Sequence, residues 1–128
     1  MSRLEGKVDT GWGYEIIWVT TDKYCGKLLC FNGPGSKTSM HFHKEKEKSW
    51  FVNSGQFMLR YIDTTTAELM QVPLKEGSTY NLLPLQPHQL VAMTEDAVIF
   101  EVSTSDSTED VYRIGPGDNI TKHAKPNE

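Results

Sequence analysis

Short runs of apolar residues alternate with turn-forming residues along the chain, and no window carries the apolar stripe at helical spacing that marks an amphipathic helix. This pattern predicts β-strands over residues 14–20, 24–31, 39–43, 49–52, 56–63, 67–73, 78–83, 89–93, 97–103 and 110–114. So many strands in 128 residues predict an all-β sandwich or closed barrel, because closure leaves few sheet edges exposed.

The length of the chain fits one domain, since a second hydrophobic core would need more residues. We expect residues 1–114 to form that domain. Residues 115–128 have almost no apolar side chains and are expected to form a loosely held C-terminal tail. His123 lies in this tail, so we do not count it among the candidate ligands.

Composition excludes two classes of partner. The longest apolar run is far shorter than the ~18 residues of a membrane span, so no membrane segment is predicted. With 13 Lys and Arg against 17 Asp and Glu, the chain has no basic surplus for a nucleic-acid backbone. Residues 1–10 lack the apolar segment of a secretory signal, which predicts a cytoplasmic protein. Cys25 and Cys30 fall in one predicted strand, too far apart along it for a disulfide, and are expected to be reduced.

Histidines mark the candidate chemistry. His41 and His43 stand one residue apart in a predicted strand, where alternate side chains share a face, so both imidazoles can reach one ion. His88 follows the turn over residues 83–87, which contains two prolines, and begins another apolar strand. Three neutral imidazoles are typical ligands of zinc, manganese, iron or nickel, and they leave coordination positions open for water or substrate.

The residues around the first histidine pair resemble the first motif of the cupin superfamily. That motif runs from a glycine through His-X-His and a glutamate to a second glycine. Gly35, His41, His43 and Gly55 stand at the corresponding positions.

The second cupin motif has a glycine, a proline-containing turn and a histidine, which Gly77, residues 83–87 and His88 resemble. Together the two motifs imply a double-stranded β-helix, the jelly-roll-type barrel of cupins. They also imply one divalent metal ion held by His41, His43 and His88, with its identity (Zn, Mn, Fe or Ni) left open.

Two positions depart from the motifs. Counting back from Gly55, the family's glutamate ligand falls on Lys48, whose ammonium cannot coordinate a metal. Glu47 is adjacent, and a one-residue bulge would swing it inward as the fourth ligand; otherwise water or substrate completes the shell of three histidines. Leu85 stands where the second motif usually has glycine, which affects the turn more than the chemistry.

A further resemblance reaches nearly the whole chain. Short segments look like those of small cupins of the mannose-6-phosphate isomerase-like kind: residues 12–15, Tyr24, Lys27, and residues 54–55, 100–104, 110–113 and 117–118. The resemblance implies aldose and ketose interconversion on a sugar or sugar phosphate, with the metal acting as a Lewis acid.

Such a reaction needs a base that moves a proton between neighbouring carbons, and the candidates are Glu47 and Glu101. Glu101 stands mid-strand between Phe100 and Val102. The sequence leaves an inward and an outward placement open and favours the outward, solvated one.

Recognition of substrate phosphate or hydroxyl groups is assigned to residues with suitable donors, namely Lys27, Arg60, Tyr61 and Gln86. Two other functions remain open. Three histidines without a carboxylate also fit an iron-dependent oxygenase, such as certain thiol dioxygenase cupins, and loss of the glutamate also fits a non-catalytic cupin that binds a sugar or metabolite. Small cupins commonly pair, so a homodimer is expected.

Overall fold

The structure, a computed structural model, describes residues 6–104 and 110–117. These residues form eleven β-strands and no α-helix. The strands are β1 (Lys7–Thr10), β2 (Gly13–Thr20), β3 (Tyr24–Phe31), β4 (Met40–Phe42), β5 (Lys48–Ser54), β6 (Phe57–Asp63), β7 (Glu68–Leu74), β8 (Thr79–Leu82), β9 (His88–Ala92), β10 (Val98–Thr104) and β11 (Tyr112–Gly115). The predicted all-β class is confirmed, and only β1 had no predicted counterpart.

The strands form two antiparallel sheets. The six-stranded sheet has the order β1-β2-β3-β10-β5-β8, and the five-stranded sheet has the order β11-β4-β9-β6-β7. Strands that are neighbours in space but distant in sequence, such as β3 and β10, create the crossed connections of a jelly roll. The two-sheet arrangement is the predicted double-stranded β-helix.

The hydrophobic core lies between the two sheets. Within β5, Trp50 and Val52 are buried while Phe51 and Asn53 are exposed, which is the period of two expected of a strand with one covered face. The buried core residues come from both sheets: Leu29, Phe31, Trp50, Val52, Phe57, Leu59, Leu74, Leu82, Leu90, Ala92, Ala97 and Ile99.

Gly55 closes the turn between β5 and β6, and the backbone of this turn requires a glycine at that position. Its φ is 77°, a left-handed conformation, and a Cβ at this position would lie 2.7 Å from the Cα of Ala97. The second glycine of the first motif is therefore fixed by backbone geometry.

The C-terminal strand β11 pairs with β4 and ends at Gly115, one residue beyond the predicted strand. Residues 118–128, most of the predicted tail including His123, lie outside the described residues. Cys25 and Cys30 are both free thiols. Within the described ranges, no helix has the length and apolar character needed to span a membrane.

Candidate metal centre

Three histidines meet between the sheets, near one end of the five-stranded sheet. His41 in β4 lies directly opposite His88 in β9, and His43 follows one residue after β4 ends. One ring nitrogen of each lies within 4.8 Å of the others. The ring centroids are 4.5 Å apart for His41 and His88, 5.1 Å for His41 and His43, and 5.7 Å for His43 and His88. Antiparallel pairing of β4 with β9 thus brings together His41 and His88, which are 47 positions apart in the sequence.

Backbone carbonyl groups orient all three rings. The Nδ1 atoms donate to carbonyl oxygens: His41 to Ser39 at 2.9 Å, His43 to Asp110 at 2.7 Å and His88 to Gln86 at 2.9 Å. Because a carbonyl oxygen can only accept, each Nδ1 carries the proton and each Nε2 keeps its lone pair.

The Nε2 atoms of His43 and His88 are buried and have no hydrogen-bond partner. A buried acceptor without a partner is costly, and such atoms converging on one point fit a shared metal ion. The donor set therefore fits a divalent metal.

The electrostatic surroundings keep the imidazoles neutral. Burial, with the nearby Lys48 ammonium, lowers the pKa of His41 to about 3 and that of His43 to about 4. Burial and the neighbouring His41 lower the pKa of His88 well below its usual value. Neutral imidazoles are the metal-binding form, so the ligands need not lose a proton at physiological pH.

The structure corrects the prediction that Glu47 joins the ligands. Its side chain is exposed and its carboxylate accepts a 3.4 Å hydrogen bond from Asn81 Nδ2. Lys48, not Glu47, begins β5 and points inward, because β5 pairs with β8 without a bulge at this point. Among the described residues, the cluster consists of three histidines with no carboxylate.

Glu101 faces inward, and the favoured outward placement was wrong. Only 2% of its surface is exposed. In β10 the inward set is Ile99, Glu101 and Ser103, while the apolar Phe100 and Val102 point outward. The strand thus places its apolar residues on both faces, and alternation alone does not identify the inner face.

A buried network surrounds the Glu101 carboxylate. Oε1 accepts a 2.9 Å hydrogen bond from Trp50 Nε1 and lies 3.5 Å from Lys48 Nζ. Burial by itself raises the pKa of the carboxyl, but the ammonium groups of Lys48 and Lys27 and the indole donor outweigh it. The net pKa of Glu101 is lowered, so the group is ionised at neutral pH.

Burial lowers the pKa of the Lys48 ammonium, and the Glu101 carboxylate opposes this effect. The Lys48 ammonium and the Glu101 carboxylate therefore each favour the charged form of the other. Trp50 links the pair to the histidines, since its ring centroid lies 5.7 Å from that of His88.

A cavity of about 510 Å³ contains this network and the three histidines. Of the predicted substrate-binding residues, only Lys27 lines it, and its ammonium forms a 3.2 Å ion pair with Glu15. Four of the charged residues that line the cavity were not predicted as site residues from the sequence: Glu15, Lys46, Lys48 and Arg113. A signal for Lys48 was present, because the resemblance to the first cupin motif implies a ligand at this position.

The other three predicted substrate residues do not line this cavity. Arg60 Nη1 donates to Gln89 Oε1 at 2.7 Å. Tyr61 packs against the core, with its ring centroid 6.3 Å from that of Tyr80. Gln86 contributes its backbone carbonyl to His88. Arg60 and Tyr61 thus contact other residues of the barrel. Gln86 contributes to the site by orienting the ring of His88.

Leu85 adopts a left-handed backbone conformation that glycine takes most readily. Its φ is 70°, and its N–H donates to the carbonyl of His43 at 2.6 Å. A left-handed leucine costs about 1–2 kcal/mol. The hydrogen bond from this turn ties the loop before His88 to His43.

Solved structures of other proteins share this architecture. Oxalate decarboxylase from Bacillus subtilis superposes with a TM-score of 0.72 at 17% identity, over 84% of this chain and 29% of that chain. The capsular polysaccharide assembling protein CapF from Staphylococcus aureus superposes with a TM-score of 0.73 at 14% identity, over 84% of this chain and 32% of that chain. Another oxalate decarboxylase structure, which concerns that enzyme's Mn(II) centres, gives a TM-score of 0.72 at 16% identity, over 87% of this chain and 31% of that chain.

This chain spans about a third of the length of these proteins. Both proteins have the cupin fold, so the predicted cupin fold is confirmed. No protein-family model matches the sequence, and a search of curated proteins gives no match. The fold and the three-histidine group support a metal-dependent cupin, with a divalent metal of unassigned identity.

Proposed function

We propose that this chain is a metal-dependent isomerase that interconverts the aldose and ketose forms of a sugar or sugar phosphate. The observation that carries the proposal is the ionised, buried Glu101 in the same cavity as the three histidines. A divalent ion bound by His41, His43 and His88 would supply Lewis-acid chemistry to the carbonyl and hydroxyl oxygens of the substrate.

Glu101 is the base in this proposal. Its carboxylate takes a proton from the carbon next to the carbonyl and returns it to the former carbonyl carbon, while the hydroxyl proton passes to the former carbonyl oxygen, so no oxidant or reductant is needed. The Trp50 donor and the Lys48 ammonium keep the carboxylate ionised and fix the position of Oε1. Glu47, the other predicted base, lies outside this network and has no role in the proposal.

The walls of the cavity suit a small polyhydroxylated substrate. Trp12 offers an aromatic face on which a sugar ring can stack, and Lys27 adds a charged donor held by Glu15. Leu29 and Leu90 form an apolar part of the cavity wall. Apolar side chains lower the local polarity of that part of the wall, which strengthens electrostatic contacts there.

Deuterium exchange tests the proposal. Metal-loaded protein is incubated in D2O with mannose 6-phosphate, glucose 6-phosphate or fructose 6-phosphate, and NMR follows both product and deuterium at C1 and C2. We expect exchange in the wild type and none in a Lys48→Met/Glu101→Gln double variant that still folds and binds metal. A fully metal-loaded wild type without exchange on any sugar phosphate contradicts the isomerase.

One observation favours a second candidate, an iron-dependent oxygenase of the thiol dioxygenase kind. In the part of the chain that the structure describes, the metal cluster has three histidines and no carboxylate. Iron-loaded protein that consumes oxygen in the presence of a thiol, and does not isomerise sugars, would select this function. Tight sugar binding without turnover would select a non-catalytic cupin.

A homodimer is also part of the proposal. Phe51, Phe100 and Val102 are 43%, 41% and 53% exposed on the outer face of the six-stranded sheet, and the two phenyl rings stack at 6.3 Å. Adjacent exposed apolar side chains are typical of interaction surfaces. Sedimentation velocity of the wild type and of Phe100→Lys tests this point, with a monomer expected for the variant.

A further inference from the structure

The hairpin of β1 and β2 borders the cavity without contributing to the hydrophobic core. In the described ranges, none of the buried core residues comes from either strand. Side chains of both strands line the same cavity as the three histidines, namely Val8, Thr10, Glu15 and Ile17. The hairpin thus extends the six-stranded sheet by a wall that faces the cavity.

The strand register places two polar side chains of the hairpin on its inner face. Val8 lies opposite Glu15, and residues directly opposite each other in antiparallel strands share a face. Thr10 stands two positions after Val8, so its side chain also points to the inner face. The inner face of an antiparallel sheet is normally apolar because it covers a core. Two polar residues on this face therefore indicate a different role for the hairpin.

The Thr10 hydroxyl is buried and has no hydrogen-bond partner. Across the described residues, four buried side-chain nitrogen or oxygen atoms lack a partner, and three of them belong to residues that line this cavity: Thr10 Oγ1, His43 Nε2 and His88 Nε2. The proposed metal accounts for the two imidazole nitrogens. Since buried polar atoms are normally paired, the threonine hydroxyl indicates a polar group that a ligand brings into the cavity.

Glu15 adds a hydrogen-bond acceptor to the same face. Its Oε1 lies 3.2 Å from Lys27 Nζ, but a carboxylate has two oxygens and several lone pairs, so this ion pair leaves it capacity to accept from a ligand. The Glu15 side chain is 18% exposed, which allows a ligand to reach it. Because the charges of Glu15 and Lys27 cancel, this wall suits neutral hydroxyl groups, which can donate to the carboxylate and either donate to or accept from Thr10.

We infer that the inner face of the hairpin is a second subsite, which binds hydroxyl groups of the substrate that the metal does not hold, with Thr10 as the residue that recognises them. The ligand class is a polyhydroxylated carbon chain. The inference rests on the proposed function in placing a sugar in this cavity. It adds that the rest of the sugar is recognised through neutral hydroxyl groups.

Binding of a sugar analogue that cannot isomerise tests the inference without any assay of turnover. D-Glucitol has the hydroxyl groups of a hexose but no carbonyl group. It is titrated into zinc-loaded, ¹⁵N-labelled protein, and the amide chemical shifts report both the affinity and the place of binding. We expect D-glucitol to bind and to shift the amide signals of residues 8–15.

The informative variant is Thr10→Val, because valine keeps the branched shape of threonine and lacks the hydroxyl. Thr10→Ser keeps the hydroxyl. Thr20→Val, at an exposed position of β2 outside the cavity lining, is the matched control. We expect Thr10→Val to bind D-glucitol about three- to tenfold more weakly than the wild type, and the other two variants to bind it within about twofold of the wild type.

Urea denaturation of the ligand-free protein separates recognition from a structural role. Because Thr10 Oγ1 has no partner to lose, the denaturation midpoint of Thr10→Val should equal or exceed that of the wild type. Weaker binding together with a lower midpoint would show that the hydroxyl is structural and would overturn its role in recognition.

The remaining outcomes decide between the subsite and the proposed function. Equal affinities of the wild type and Thr10→Val overturn the role of Thr10. Failure of the zinc-loaded wild type to bind D-glucitol overturns the subsite as a whole, whether or not sugar phosphates are isomerised. Binding of D-glucitol that depends on Thr10, without isomerisation of any sugar phosphate, contradicts the proposed isomerase and supports the subsite.

Discussion

Lys48 Nζ lies 3.5 Å from Glu101 Oε1, and both side chains are almost fully enclosed between the sheets. The two residues come from adjacent strands, β5 and β10, and are 53 positions apart in the sequence. Each charge is buried only because the other is present. The pair therefore couples the stability of the barrel to the chemistry of the cavity.

Single substitutions of this pair should destabilise the protein, whereas the double substitution should have little effect. Glu101→Gln or Lys48→Met alone leaves one buried charge without its counter-charge and should cost about 3–5 kcal/mol of unfolding free energy. The double variant removes both charges and should lie close to the wild type. Urea denaturation measures all three, with Lys75→Met as an exposed control. Additive losses in the double variant would show that the two side chains do not interact.

Substitution of any one ligand histidine should abolish stoichiometric metal binding. His43→Ala or His88→Ala leaves two imidazoles, too few for the site inferred here. Elemental analysis after dialysis measures the effect, and circular dichroism checks the fold. His123→Ala is the control, because that histidine is not among the proposed ligands. Full metal content in His88→Ala would remove that residue from the site.

Trp50 should act as a positioning residue for Glu101. Trp50→Phe keeps the aromatic ring but removes the indole N–H, one of the groups that lower the carboxyl pKa. The pKa of Glu101 should rise, so the acid limb of the pH–rate profile should move to higher pH. Trp18→Phe, at a ring that is 59% exposed, is the control. A lower rate with no movement of the acid limb would indicate a packing role only.

Asp110 should support the metal site from outside it. Its carboxylate accepts hydrogen bonds from the backbone N–H groups of residues 44, 45 and 46, and its carbonyl accepts from His43 Nδ1. Asp110→Ala should loosen this loop and weaken metal affinity by about tenfold. Asp63→Ala removes a similar turn-capping carboxylate far from the cavity. Metal titrations that give equal affinities for the two variants would contradict this role.

The metal-free protein should lose stability as the pH falls below about 6.5. In the folded chain the pKa of His43 is about 4, whereas in the unfolded chain it is about 6.5, so the unfolded state binds more protons between these values. The loss should be about 1.4 kcal/mol per pH unit for this residue over that window. Urea denaturation at several pH values measures the slope, and His43→Asn should reduce it by about one proton. An unchanged slope would mean that His43 takes up no proton when the chain unfolds, because its pKa is the same in the folded and unfolded states.

The sequence predicted every described strand except β1 and, through its motifs, the ligand set of the proposed metal site. Strand β3 has the predicted limits, because alternation and flanking turn residues are local signals. His41, His43 and His88 could be grouped because each stands in a short motif whose spacing is visible in the chain. The positive φ of Gly55 is likewise a local requirement.

Only the tertiary structure decided which charged side chains enter the cavity. A period of two shows that Glu101 shares a face with Ile99 and Ser103, but β10 is apolar on both faces, so the inner face is fixed by how the sheets pack. The inward turn of Lys48 depends on the regular pairing of β5 with β8, which also keeps Glu47 outside. Burial of a charge requires a counter-charge, and here that partner comes from a strand distant in the sequence.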